Sequence, residues 1–170
     1  FDVKMYWAQM EASSGWRIAS AYKNVLDAPG EHDLNAVWSL GMLLFDTGHL
    51  NEALVLRKYL TERDRTQGDL TNLADSLSMQ SMVLIALGDL NGAMEQLQEM
   101  ERICRKLGDK DRLGISLGNQ ALILGERGDL DGAMTLHKEE EHLCRELGDI
   151  IGQVCCVGNE GRILRERCNL

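Results

Sequence analysis

A short string of residues occurs twice in this chain, forty positions apart, and it constrains the fold more than any other feature. Residues 87–94 read LGDLNGAM, and residues 127–134 read RGDLDGAM. When the chain is written in rows of forty, further positions align into columns. Several independent columns at one period indicate a repeat architecture, in which each unit is one supersecondary element that buries its apolar face against its neighbours.

Five columns define the repeat. Two hold only glycine, one holds alanine and one holds leucine; the fifth holds only small residues and is called the small-residue column below. In this order the columns are Gly48, Gly88, Gly128; Gly68, Gly108, Gly148; Ala53, Ala93, Ala133; Leu44, Leu84, Leu124, Leu164; and Gly41, Ser81, Ala121, Gly161.

The segments between the glycine columns have the pattern of amphipathic helices. In residues 89–107, for example, apolar side chains recur at spacings of three and four, which is the period of one helix face. Glycine at each turn tolerates a left-handed backbone, and the aspartate that follows it is placed to cap the next helix. Each unit is therefore predicted to be a helix–turn–helix pair, and the chain to be all-α. The predicted caps are Asp69, Asp89, Asp109 and Asp129.

Four of these positions together resemble the tetratricopeptide repeat: a small residue, a leucine three positions later, the turn glycine and an alanine early in the second helix. In one unit they are Ala121, Leu124, Gly128 and Ala133. The period of forty exceeds the usual period of about 34 residues. In this respect the chain resembles the long-period repeats of the Pins-type polarity adaptors and kinesin light chains.

The resemblance implies a right-handed superhelical solenoid of antiparallel helix pairs, with about seven to eight helices. The repeat array would span residues 31–170, with units at about 31–68, 69–108 and 109–148 and a partial unit at 149–170. Residues 1–30 fit the columns poorly and are expected to form an N-terminal helical segment that packs on the array.

A second implication of the resemblance is a concave groove lined by the first helices, where a peptide or a helix of a partner protein binds. We expect the groove to be apolar towards its N-terminal end. Trp38, Met42 and Phe45 could instead pack against the N-terminal segment, and the asparagines could either hold a peptide backbone or satisfy helix-turn carbonyls. The predicted groove residues are Trp38, Met42, Phe45, Ser78, Met82, Ile85, Asn119, Leu122, Asn159 and Arg162.

Other kinds of site find little support in the sequence. The net charge of -9 disfavours a nucleic-acid partner. No apolar run is long enough to span a membrane, and the five cysteines lack the C-x-x-C spacing of a zinc site. The string HKEEEH at residues 137–142 spaces its histidines by five rather than four, so we interpret it as a solvated charged face. We predict no catalytic, cofactor or metal site.

These observations predict a cytoplasmic protein–protein interaction module, part of a larger multidomain signalling or adaptor protein, which is not an enzyme. Two alternatives remain open. The array could be a rigid scaffold that self-associates through its ends to form a homo-oligomer, or it could be a sensor for a signalling peptide or a small molecule.

Overall fold

The computed structural model describes residues 21–25, 27 and 34–168, and this part of the chain is helical throughout except for short turns. Residues 21–25 and 27 are helical, while the rest of the predicted N-terminal segment at 1–30 lies outside the described residues. Seven complete helices follow: α1 (Leu34–Asp46), α2 (Leu50–Gln67), α3 (Leu70–Ala86), α4 (Leu90–Leu107), α5 (Lys110–Glu126), α6 (Leu130–Leu147) and α7 (Ile150–Cys168).

The helices alternate as the repeat predicts. The first helix of each unit is α1, α3, α5 or α7, and the second helix is α2, α4 or α6. The predicted all-α fold of successive helix pairs is therefore confirmed.

The turns between helices have the predicted chemistry. All six glycines of the two glycine columns have positive φ, between 70° and 80°, a conformation that costs a residue with a side chain. The carboxylate of Asp109, for example, accepts a hydrogen bond of 3.0 Å from the backbone N–H of Arg112. The other three predicted caps, and Asp149 as well, accept from the first turn of their helices in the same way.

The chain forms two compact units, which divide between Leu60 and Thr61, inside α2. In the first unit, Val37 and Leu44 of α1 and Ala53 and Leu56 of α2 are buried. In the second unit each helix from α3 to α7 packs against the next one along the chain. Its core is formed by apolar side chains such as Leu77, Leu97, Met100, Leu117 and Ile163.

Burial explains the columns of the repeat. The alanine column is completely buried, and Ala133 lies in one apolar cluster with Ala121 of the small-residue column. Small side chains at both positions let the two helices of a pair approach closely. In α7, however, the members of the small-residue and leucine columns, Gly161 and Leu164, are exposed.

Ion pairs connect helices of successive repeats in the second compact unit. Arg65 at the end of α2 bonds Glu99 of α4 at 2.8 Å, and forty residues later Arg105 of α4 bonds Glu139 of α6 at 2.8 Å. Each exposed pair contributes only about 0.2–1 kcal/mol to the free energy of unfolding. Their recurrence nevertheless shows that the second helices keep one register from repeat to repeat.

Candidate partner-binding surface

Two exposed apolar side chains occupy equivalent positions on the first helices of the second compact unit. Met82 on α3 and Leu122 on α5 directly follow the small-residue column and are 38% and 36% exposed. The small residue faces the second helix of its own pair. Since successive residues on a helix point about 100° apart, the residue that follows is turned away from that contact. The repeat thus presents an apolar side chain at the same place twice.

The other predicted groove residues of this unit differ in exposure. On α3, Ser78 is buried and Ile85 is half-buried. On the later first helices, Asn119 and Asn159 are half-buried and Arg162 is exposed. The exposed part of this set is therefore apolar on α3 and α5 and basic on α7.

An ion pair joins two of these first helices. The Arg112 guanidinium of α5 bonds the Asp75 carboxylate of α3 at 2.7 Å and the Asp109 carboxylate at 2.7 Å. Hydrogen bonds to the two carboxylates raise the pKa of Arg112 above its ordinary value, so the guanidinium stays charged. This contact connects α3 with α5, the two helices that carry Met82 and Leu122.

In the first compact unit, Trp38, Met42 and Phe45 of α1 are all half-buried. The guanidinium of Arg57 lies over the Trp38 ring, 4.4 Å from its centroid, and its Nη2 donates to the Trp38 carbonyl at 3.4 Å. Arg57 is almost fully buried, and this burial lowers its pKa to about 10. Trp38 thus covers a buried cation, which gives its indole a packing role.

The sequence pattern did not predict a polar pair on α6, in which His137 is buried and Glu140 is partly buried. His137 is fully buried, and its Nδ1 lies 2.9 Å from Oε2 of Glu140. The pair packs against Gly118 of α5, where an added Cβ would come within 2.5 Å of Oε1 of Glu140. The interpretation of residues 137–142 as one solvated face is therefore wrong for His137, although His142 is exposed. The forty-residue alignment contained the signal, because His137 shares a column with the buried Leu97.

Three of the five cysteines have buried thiols. Cys104 and Cys144 are buried, as is usual for small packing residues. Cys156 is also buried, and desolvation followed by the nearby charge of Glu140 raises the pKa of its thiol. These thiols stay protonated at neutral pH, and the thiolate is the reactive form. Within the described residues, no group of three or more histidine, cysteine or carboxylate side chains is arranged to hold a metal ion.

Comparison with known proteins identifies the fold. The sequence matches no protein-family model and none of the curated proteins compared with it. Among solved structures, BtubC (BKLC) from P. vanneervenii is similar with a TM-score of 0.62 at 15% sequence identity, over 96% of this chain and 78% of that chain. MamA is similar with a TM-score of 0.51 at 11% identity, over 100% of this chain and 99% of that chain.

Both of these solved structures have tetratricopeptide-like helical repeats. At such low identity the likeness concerns the fold alone. None of the helices that the structure describes has the length and apolar character of a membrane span. The chain thus has a tetratricopeptide-like helical-repeat fold.

Proposed function

We propose that this chain is a non-catalytic protein–protein interaction module, which binds a peptide or a helix of a partner protein on its first helices. The observation that carries the proposal is the exposure of Met82 and Leu122 at equivalent positions of successive repeats. Single exposed apolar residues are common on protein surfaces. Two at the same repeat position, on helices joined by the Arg112–Asp75 ion pair, form an ordered apolar strip.

The side chains around this strip suit a peptide ligand. Methionine adapts its shape to different apolar partners, and Ile115, 52% exposed on α5, adds apolar surface. The amides of Asn119 and Asn159 can donate to and accept from an extended peptide backbone. The net charge of -9 favours association with a partner that is basic around its apolar anchors.

The test compares two double substitutions. The immobilised chain, its Met82→Glu/Leu122→Glu variant and a Val55→Glu/Leu147→Glu control are used to capture partners from the native lysate. The control changes two apolar side chains of similar exposure, 42% each, on second helices. We expect a partner that binds the wild type and the control and is lost with the first variant. Synthetic peptides from that partner should then bind the wild type and the control but not the Met82→Glu/Leu122→Glu variant.

Equal capture by all three proteins would refute the proposed surface. Circular dichroism melting of each variant serves as the folding control, since all four substituted side chains are exposed. Trp38 is not a suitable position for this test, because its removal would also uncover the buried Arg57 cation.

A further inference from the structure

Two buried thiols meet between α6 and α7. Cys144 of α6 is 8% exposed and Cys156 of α7 is fully buried, and a hydrogen bond joins the two thiols. The Cys144 sulfur lies against Gly152, where an added Cβ would come within 2.6 Å of it. Gly152 is one helical turn before Cys156, on the same face of α7. The sulfur of Cys144 is therefore held against the part of α7 that carries Cys156.

The repeat brings the same two positions together elsewhere in the second compact unit. Eighty residues before the two cysteines, these positions hold Asp64 and Ser76, and the Ser76 hydroxyl donates a hydrogen bond of 2.6 Å to the Asp64 carboxylate. Contact between the two positions is thus a property of the repeat. The repeat between them has Cys104 and Ser116 there. Among the described repeats, only the junction of α6 with α7 has a cysteine at both positions.

We infer that Cys144 and Cys156 form an intramolecular disulfide when the chain meets a hydroperoxide. The bond joins the second helix of one unit to the first helix of the next, and it closes a short loop that contains the α6–α7 turn. Cys104 has no cysteine at the matching position and stays a thiol. This inference does not rest on the proposed function, because Met82 and Leu122 lie on other helices.

The oxidation balances in two steps. The Cys144 sulfur, the more accessible of the two, attacks one oxygen of hydrogen peroxide; the O–O bond breaks, water leaves, and Cys144 becomes a sulfenic acid. The Cys156 sulfur then attacks the Cys144 sulfur, the S–O bond breaks, and the disulfide forms. The Cys156 proton passes to the Glu140 carboxylate, to which this thiol is hydrogen-bonded, and combines with the departing hydroxide as a second water. The two thiols lose two electrons, and the peroxide gains them.

Burial selects the oxidant. Desolvation raises the pKa of both thiols, so they react more slowly than an exposed thiolate does. A small neutral molecule such as hydrogen peroxide reaches an almost fully buried sulfur more easily than a bulky disulfide such as oxidised glutathione. Once Cys144 is oxidised, the neighbouring Cys156 sulfur is already in contact with it, and this proximity favours the disulfide over further oxidation.

The test uses the full chain with Cys155→Ser/Cys168→Ser, two changes at exposed positions. The protein is treated with hydrogen peroxide, unfolded in urea with N-ethylmaleimide, digested with trypsin and analysed by mass spectrometry without reduction. We expect fragment 139–145 to be joined to fragment 146–162, with a mass two hydrogen atoms below the sum of the two, while Cys104 carries the maleimide. Cys144→Ser and Cys156→Ser, each added to the same chain, are the controls and should lose the joined fragment.

Thermal melting tests whether the bond fits the native fold. The joined chain should melt at least about 5 °C above the reduced chain, as expected for a short closed loop, and dithiothreitol should reverse the shift. Peroxide treatment of the Cys156→Ser control should give no such rise.

Three results would overturn the inference. One is the recovery of both Cys144 and Cys156 with maleimide attached after peroxide treatment. Another is the sulfinic acid at Cys144 without any joined fragment, since the two sulfurs would then not be in reach of each other. The third is a joined chain that melts below the reduced chain, because the bond would then distort the contact between α6 and α7.

Discussion

At the scale of single residues, the glycines of this chain serve two different purposes. Gly128 has φ of +80° and no neighbour within 4 Å of an added Cβ, so its role is conformational. Gly118 is helical and lies against the Glu140 carboxylate, so its role is to make space. The sequence predicted the first kind from the glycine columns. The second kind depends on a side chain 22 positions away along the chain.

Replacing a turn glycine should therefore destabilise the fold, whereas replacing a helical glycine with free space around it should stabilise it. We predict that Gly128→Ala lowers the free energy of unfolding by about 1 kcal/mol, because alanine is strained at positive φ. Gly125→Ala should raise it by about 0.5–1 kcal/mol, because Gly125 lies in α5 with open space around an added Cβ. Urea denaturation of the two variants measures both effects. An unchanged midpoint for Gly128→Ala would contradict the conformational role.

The His137–Glu140 pair makes a second prediction at this scale. His137 has a buried Nε2 without a partner among the described residues, so Glu140→Ala should leave both of its nitrogens unpaired. We expect a loss of roughly 1–3 kcal/mol in the free energy of unfolding. The double change His137→Leu/Glu140→Met copies the buried Leu97 and Met100 of α4 and should be more stable than wild type. Chemical denaturation measures the free energy of unfolding of the three proteins. A double variant that is less stable than Glu140→Ala would show that the pair stabilises the fold.

At the scale of the helices, the boundaries were predictable and the contacts between helices were not. Turn glycines and capping aspartates are local signals, and each predicted cap accepts its hydrogen bonds in the structure. The Arg105–Glu139 pair spans 34 positions and the Arg112–Asp75 pair spans 37. Many charged residues lie at such separations in this sequence, so spacing alone cannot select the pairs that meet.

The stabilisation that the Asp109 cap of α5 gives to the fold should depend on pH. Burial alone would raise the pKa of Asp109, but hydrogen bonds from the Arg112 backbone N–H and guanidinium outweigh it and hold the pKa below its ordinary value. A carboxylate with a lowered folded pKa stabilises the fold fully above its unfolded pKa, about 3.9, and this stabilisation is lost as the pH falls through the folded pKa.

We therefore predict that Asp109→Ala lowers the free energy of unfolding by about 1 kcal/mol at pH 7. The difference from wild type should shrink at pH values below about 4. Asp111→Ala, an exposed carboxylate in the same first turn, is the matched control and should have a smaller effect. Urea denaturation between pH 3 and pH 7 measures both. A difference that stays constant down to pH 3 would refute the assigned cause.

At the scale of the whole molecule, each repeat depends on its neighbours, because a helix pair in such an array buries its apolar faces only by stacking. This explains why the sequence predicted the fold better than the exposure of individual residues. The columns report which positions face a neighbouring helix, but Leu84 and Leu164 occupy one column and differ in exposure. Among the described helices, α3 is followed by the second helix of its pair and α7 is not. Exposure at a repeat position is thus a property of the assembled array.

The same dependence predicts how stability varies along the second compact unit. Helices α5 and α6 each pack against a helix before and after them, whereas α7, among the described helices, packs mainly against α6. We predict that amide hydrogen exchange in α7 is at least about tenfold faster than in α5, since local opening is easier where fewer apolar contacts must break. Exchange in α7 as slow as in α5 would contradict this prediction.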